Sequence, residues 1–208
     1  MILKLHKAKS YQQQNFKHSQ QRIYLNRETV DSLEDQILIS RHLERYALVR
    51  QFVYGKVLDI ACGVGYGSHL LAKNPDVKQI VGVDVDHETT EWANDNFSSV
   101  KIDFFCDTVE NFSGKFDFLV SLETIEHLEN PGSLYELAVR CDINEVVISF
   151  PHKKTTHYNE FHRWDITSAD VLDMFSNFVC INQIRHYDST LLHLIRRRAE
   201  TMPPKRLK

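Results

Sequence analysis

Val57-Leu58-Asp59-Ile60-Ala61-Cys62-Gly63-Val64-Gly65-Tyr66-Gly67-Ser68 reads as an apolar strand, a glycine turn and the start of a helix. The chain has 208 residues and only 7 glycines, about 3% where about 7% is usual, yet three of them fall within positions 63–67. Glycine used so sparingly and then concentrated marks a point that needs unusual backbone freedom. In open α/β sheets ligands sit beyond the carboxyl ends of strands, beside such turns. A turn without β-carbons lets the backbone approach a ligand closely, and the helix that follows offers free N–H groups. A second signal lies 25 residues after Asp59, where Val81-Gly82-Val83-Asp84 ends the next apolar run in a carboxylate. An acid at that place accepts two hydrogen bonds from a ribose diol. The two signals together describe a nucleoside-containing cofactor.

Working outward, the chain alternates nearly continuous apolar runs, at 57–61, 80–83, 100–105, 116–122 and 146–150, with helical stretches at 67–73, 87–97 and 131–141. Continuous runs suit strands buried on both faces of a parallel sheet, and strand–helix alternation implies right-handed crossovers and three layers. Asn130 followed by Pro131 reads as a cap and a first helical position. Residues 167–175 read as another capped helix, and 178–184 and 190–195 as two last strands. Upstream, Val30, Leu33, Ile37, Leu43, Ala47 and Phe52 recur near helical spacing over 29–53, one long helix or two short ones capped by Thr29.

Composition narrows the classes. With 42% hydrophobic and 25% charged residues the chain is that of a globular protein. No stretch approaches the roughly 18 apolar residues of a membrane span, and the first residues hold too short an apolar run for a secretory signal, so a cytoplasmic location is expected. Cys62, Cys106, Cys141 and Cys180 lie far apart, without a Cys-x-x-Cys, and read as reduced thiols. The net charge of −3 is uneven: residues 1–27 carry +6 and residues 196–208 carry +5, which leaves −14 for the body. The organisation expected is an irregular basic arm at 1–27, a catalytic domain at 28–195 and a basic tail at 196–208. Basic ends on an acidic body can steer a polyanion to the termini, whereas the acidic body argues against extended phosphate-backbone contacts.

Two cofactors compete for the glycine loop. A dinucleotide fold wants Gly-x-Gly-x-x-Gly, with its third glycine where Ser68 stands; the spacing here is Gly63-x-Gly65-x-Gly67. Asp59-Ile-Ala-Cys-Gly-Val-Gly-Tyr-Gly resembles the first motif of class I S-adenosylmethionine-dependent methyltransferases. Asp84, Phe105-Cys106-Asp107-Thr108 and the run from Phe116 to His127 follow in the order of that family, over about residues 42–175. The resemblance implies a three-layer Rossmann-like α/β fold with a mostly parallel seven-stranded sheet and an antiparallel last strand. It further implies S-adenosyl-L-methionine as cofactor. Asp59, Ala61, Gly63 and Gly65 would face its methionine part, Asp84 would hold its ribose hydroxyls and Asp107 its adenine amino group, with Tyr66, Val85, Thr108 and Leu122 as further cofactor-binding residues. His42-Leu-Glu-Arg45-Tyr46 resembles an element that precedes the glycine loop in small-molecule O-methyltransferases, where Arg45 or Tyr46 would close over the cofactor carboxylate.

The acceptor side is expected after the fourth and fifth strands, at Glu123-x-x-Glu126-His127 and in the histidine-bearing loop 151–162. A histidine near its free pKa of about 6.5 is a workable base for a hydroxyl, which makes His127 and His162 the catalytic candidates and a small-molecule or sugar hydroxyl the expected acceptor. A divalent ion on Glu123, Glu126, His127 and His162 is the alternative, resembling the methyltransferases that modify the terminal 2′-hydroxyl of small RNAs; mixed carboxylate and imidazole ligands suit such ions. A cofactor-binding scaffold without catalysis is the third reading. The chain departs from the family pattern at Cys141-Asp-Ile-Asn-Glu145 and Pro151-His152, both on the acceptor side.

Overall fold

The computed structural model describes residues 27–197; the expected arm and tail lie outside them, apart from Arg27, Arg196 and Arg197. The chain divides into two compact units, Met1–Leu38 and Ile39–Lys208. The described part of the first is a helical stretch that opens α1 (Arg27–Val49). The second holds the last turns of α1 and then, in order, β1 (Gly55–Ile60), α2 (Tyr66–Leu71), β2 (Val77–Asp84), α3 (His87–Phe97), β3 (Ile102–Cys106), β4 (Phe118–Leu122), α4 (Ser133–Arg140), β5 (Glu145–Pro151), α5 (Ser168–Met174), β6 (Phe178–His186) and β7 (Ser189–Arg196).

The strands form one seven-stranded sheet in the order β3-β2-β1-β4-β5-β7-β6. β1 pairs in parallel with β2 and β4, β2 with β3, and β4 with β5, whereas β7 runs antiparallel to both β5 and β6. This is the expected α/β architecture, with the strand order reversing at β1 and β4, where open sheets bind ligands. Neighbouring residues of each strand bury on opposite faces. Leu58, Ile60, Val81, Val83, Leu119 and Ile148 belong to one core, and Val57, Ile80, Phe118, Val120 and Val147 to another. That double burial is why the strand sequences are continuous apolar runs and not alternating ones.

Most element ends shift by one to three residues from the sequence reading, and at α1, α4 and β3 the structure gives the reason. α1 is one helix with Thr29 inside it, and its apolar residues Val30, Leu33, Ile37 and Leu43 are exposed; burial is concentrated at Arg45, Tyr46 and Val49. α4 starts at Ser133, two residues beyond the expected Pro131, because Asn130 Oδ1 accepts from the Gly132 N–H and closes a separate turn first. β3 starts at Ile102, since Ser99 and Ile102 already pair with each other across a tight turn and leave Val100 in solvent. Thr167 caps α5 as expected, in a capping box with Asp170.

Candidate active site

The glycine turn leaves β1 on a strained note. Ala61, a residue with a side chain, sits at φ 58°, and Gly65 at φ 86° caps α2 from the left-handed region that glycine tolerates. Gly67 has a different function: a β-carbon there would land on the Tyr46 ring, so its absence lets α1 and α2 touch. Beneath the turn, Asp59 is fully buried and accepts hydrogen bonds from Ser68 Oγ at 2.6 Å and from Tyr46 Oη at 3.3 Å. Burial pushes its pKa up to about 7, against the pull of these two donors. Cys62 is buried beside it, and desolvation pushes its thiol up as well, so it is no nucleophile.

A cavity of about 710 Å³ opens at the carboxyl ends of β1, β2, β3 and β4. Of the residues singled out from sequence, Ala61, Asp84, Val85, Asp107, Thr108, Glu123 and His127 line it. Asp84 Oδ2 accepts from the Gly63 N–H at 2.9 Å, which holds the turn against the end of β2. Asp107 Oδ1 accepts from the Thr108 N–H at 2.8 Å. Asp84 and Asp107 both line this cavity, at the ends of β2 and β3, beside the glycine-rich turn that follows β1. Asp59, Gly63, Gly65, Tyr66 and Leu122 are outside the lining, as are Arg45 and Tyr46. Arg45 is buried, donates to Ser189 Oγ at 2.7 Å and stands 3.6 Å from Glu123 Oε1.

The acceptor end is made of two loops. After β4, Glu123 turns the chain at φ 51°, held by Ser149, which accepts from the Glu123 N–H and donates to its carboxylate at 2.6 Å. Glu126 follows, fully buried, and its pKa is pushed up to about 8, first by burial and then by the Glu123 charge. The loop after β5 is stitched onto this one. The Glu126 carbonyl accepts from the Arg163 and Trp164 N–H groups, Trp164 Nε1 donates to the Leu128 carbonyl, and His127 Nδ1 donates to the Phe161 carbonyl at 2.9 Å. His162 Nδ1 is 2.6 Å from the Thr155 hydroxyl. The His127 and His162 rings meet edge to face with centroids 4.6 Å apart, and burial together with His127 lowers the His162 pKa. The histidines named from sequence therefore come together, and Glu126 joins them; Glu123 is drawn away by Ser149 and Arg45. Sequence reading missed Ser149, Thr155, Leu128 and Arg163, none of which belongs to a spaced motif.

Residues 57–141 match the family described as Methyltransferase domain. The mitochondrial ubiquinone biosynthesis O-methyltransferase of Saccharomyces cerevisiae is 31% identical over 83 residues, 38% of this chain and 27% of that protein. The malonyl-acyl-carrier-protein O-methyltransferase of Acetivibrio thermocellus is 25% identical over 108 residues, 51% of this chain and 38% of that protein. The matches thus span between about a quarter and two fifths of the length of these relatives. The crystal structure of magnesium protoporphyrin IX methyltransferase from Synechocystis PCC 6803 with bound S-adenosylhomocysteine superposes with a TM-score of 0.66 at 19% identity, over 85% of this chain and 90% of that one. Residues 57–141 thus match a methyltransferase domain family, and the seven strands in the order observed give the chain the fold of the solved methyltransferase to which it is similar.

Proposed function

We propose that the chain transfers a methyl group from S-adenosylmethionine to a hydroxyl of a small molecule or sugar, with His127 or His162 taking the hydroxyl's proton. The observation that carries this reading is one cavity lined by Asp84, Asp107 and His127, with the His162 ring against that of His127 outside the lining. The O-methyltransferase relatives support an oxygen acceptor. The cofactor supplies an activated sulfonium methyl. This chain's residues do the rest. Asp84 accepts from the ribose hydroxyls, Asp107 from the adenine amino group, and the helix-bearing turn at 63–67 brings bare backbone up to the methionine part. Asp59 supports that turn from behind through Ser68, and Arg45 and Tyr46 act in the same indirect way.

At the acceptor end the hydroxyl oxygen attacks the methyl carbon, the carbon–sulfur electron pair goes to sulfur, and the proton passes to a bare imidazole nitrogen. His127 is the better placed, because its Nδ1–H is committed to the Phe161 carbonyl and Nε2 keeps its lone pair. The basic ends that would favour an RNA acceptor lie outside the described residues, and among those residues no helix is long and apolar enough to cross a membrane.

Thermal unfolding with S-adenosylhomocysteine tests the donor. At 100 times its dissociation constant it should stabilise the fold by about 2.7 kcal/mol, and a shift with NAD in its place would overturn the reading. His127→Ala should lower turnover roughly 10²-fold or more with little change in S-adenosylhomocysteine affinity. Equal loss of both would assign the histidine to the fold instead.

A further inference from the structure

Trp164 has its indole N–H bonded to the Leu128 carbonyl at 2.9 Å, yet the residue remains 45% exposed. A ring pinned at its polar tip presents its apolar body to whatever lies beside it. Beside it lies a second cavity, of about 540 Å³, a volume within the roughly 300–1,000 Å³ of small-ligand sites. Its walls are the end of the loop after β5 at 164–166, the turn 130–132 before α4, and one face of α5. On that face Asp170, Asp173 and Met174 stand at positions i, i+3 and i+4.

The second cavity adjoins the first. Residues 127–130 and Arg163 line the first, and residues 130–132 and 164–166 line the second, so both segments pass from one cavity to the next between neighbouring residues. Asn130 belongs to both. A ligand seated at His127 therefore has room to extend past Asn130 onto Trp164.

The polar groups of the second cavity select the ligand. Asn130 Oδ1 accepts from the Gly132 N–H, which leaves the amide Nδ2 as a donor. Among the described residues the Asp173 carboxylate has no hydrogen bond, and only Oδ2 of Asp170 is engaged, by Thr167. A donor beside acceptors suits hydroxyl groups, which both give and take a hydrogen bond; an ammonium would leave the amide donor unused. No lysine, arginine or histidine is among the residues lining this cavity, and three carboxylates are, which disfavours a phosphate or carboxylate ligand. Hydrogen bonds from Thr156 and Thr167 hold Asp165 and Asp170 below the usual carboxylate range, so both stay charged. Trp164, Pro131, Ile166 and Met174 supply apolar wall. Hydroxyls at the edge and C–H groups on the face describe a sugar ring. We propose that this cavity is a subsite for a neutral sugar ring, stacked on Trp164 with its hydroxyls on Asn130 and Asp173, and that the acceptor is an oligosaccharide spanning both cavities. Sugar binding stands by itself. Its place in methyl transfer rests on the reading above, with the methylated hydroxyl at His127 and the neighbouring ring on Trp164. Binding energy gathered on a ring that does not react then holds the reacting hydroxyl in place.

The chain holds two tryptophans, and the other, Trp92, is on α3 and lines neither cavity. In Trp92→Phe the indole emission therefore reports Trp164 alone. Methyl glycosides of glucose, galactose, mannose and N-acetylglucosamine, and the disaccharides maltose, cellobiose, lactose and chitobiose, are titrated into that full-length chain, with spermidine and glucuronate as cationic and anionic controls. A saturable change with at least one neutral sugar and with neither control is expected. The best disaccharide should bind about tenfold more tightly than its methyl glycoside. Calorimetry with that disaccharide should show binding about tenfold weaker in Trp164→Ala and in Asp173→Ala, the second of which alters an exposed side chain without a partner in the fold. A response to none of the sugars, a control that binds as well as the best sugar, or sugar binding that both variants leave unchanged overturns the subsite. Equal affinity for disaccharide and methyl glycoside overturns the spanning acceptor. Every chain is also melted with S-adenosylhomocysteine. Sugar binding that fails while the melting shift is kept overturns this inference and leaves the methyltransferase reading intact, whereas sugar binding without the shift sinks the donor assignment alone.

Discussion

Asp59 is a fully buried carboxyl whose titration burial moves toward neutral pH. Its pKa of about 7 lies above the value near 3.9 of an unfolded chain. The folded state therefore holds the proton more tightly, and this contribution to stability is fully present below about pH 4 and lost as pH rises toward 7. The slope over that window is up to about 1.4 kcal/mol per pH unit. Asp59→Asn cannot titrate, so its unfolding free energy in urea should fall less between pH 5 and pH 8 than that of the wild type. At pH 5 the variant should be the weaker of the two, because its amide presents a second donor to Tyr46 or Ser68. Parallel pH dependences would show that the carboxyl is ionised throughout. Tyr46, enclosed against Asp59, is held well above the usual phenol range by burial first and the Asp59 charge second, and stays the donor of the pair.

Among the elements, α1 and α2 depend on each other through one missing side chain. Gly67→Ala would place a methyl on the Tyr46 ring, and overpacking of this kind costs about 1–3 kcal/mol. Loss in that range is expected from denaturant midpoints, with partial recovery in Gly67→Ala/Tyr46→Leu, which vacates the ring. An unchanged midpoint for the single variant would mean that the helices separate freely. The glycine itself was legible in the sequence, but its reason was not. Spacing placed Gly63, Gly65 and Gly67 in one motif, and only packing distinguishes the backbone demand at Gly65 from the room made for Tyr46 at Gly67. Helix ends show the same limit. Thr167 with Asp170 is a local capping box and could be read directly, whereas the start of α4 depends on a turn that Asn130 closes with Gly132.

Across the whole of the described chain, the two halves of the proposed site, donor and acceptor, differ in how they are encoded. The donor wall comes from consecutive β-α units, so a strand, a turn and the next strand's acid appear within one stretch from 57 to 84. The acceptor half is assembled by sheet register: Leu122 pairs with Ser149, and Pro151 with Ser189. That register places Ser149 on Glu123 and Ser189 on Arg45, contacts between positions 26 and 144 residues apart. No spacing in the sequence announces them. Ser149→Ala would leave the Glu123 carboxylate beside Arg45 without its donor and release a backbone held at φ 51°. A loss of about 1–3 kcal/mol is expected, with turnover falling further than S-adenosylhomocysteine affinity because the change lies on the acceptor side. A stability within about 0.5 kcal/mol of wild type would show that Arg45 alone holds the turn.

The stitching between the two acceptor-side loops also constrains how acceptor choice can change. Of the hydrogen bonds of Glu126, His127 and Leu128 to residues 161–164, the two from the Arg163 and Trp164 N–H groups to the Glu126 carbonyl are main chain to main chain, so side-chain replacement leaves those two standing. The two loops are thereby tied to each other as one unit. Directed evolution toward a new acceptor should accordingly succeed by exchanging both loops together, as a cassette, where grafting either loop alone would leave its partner's carbonyls facing nothing.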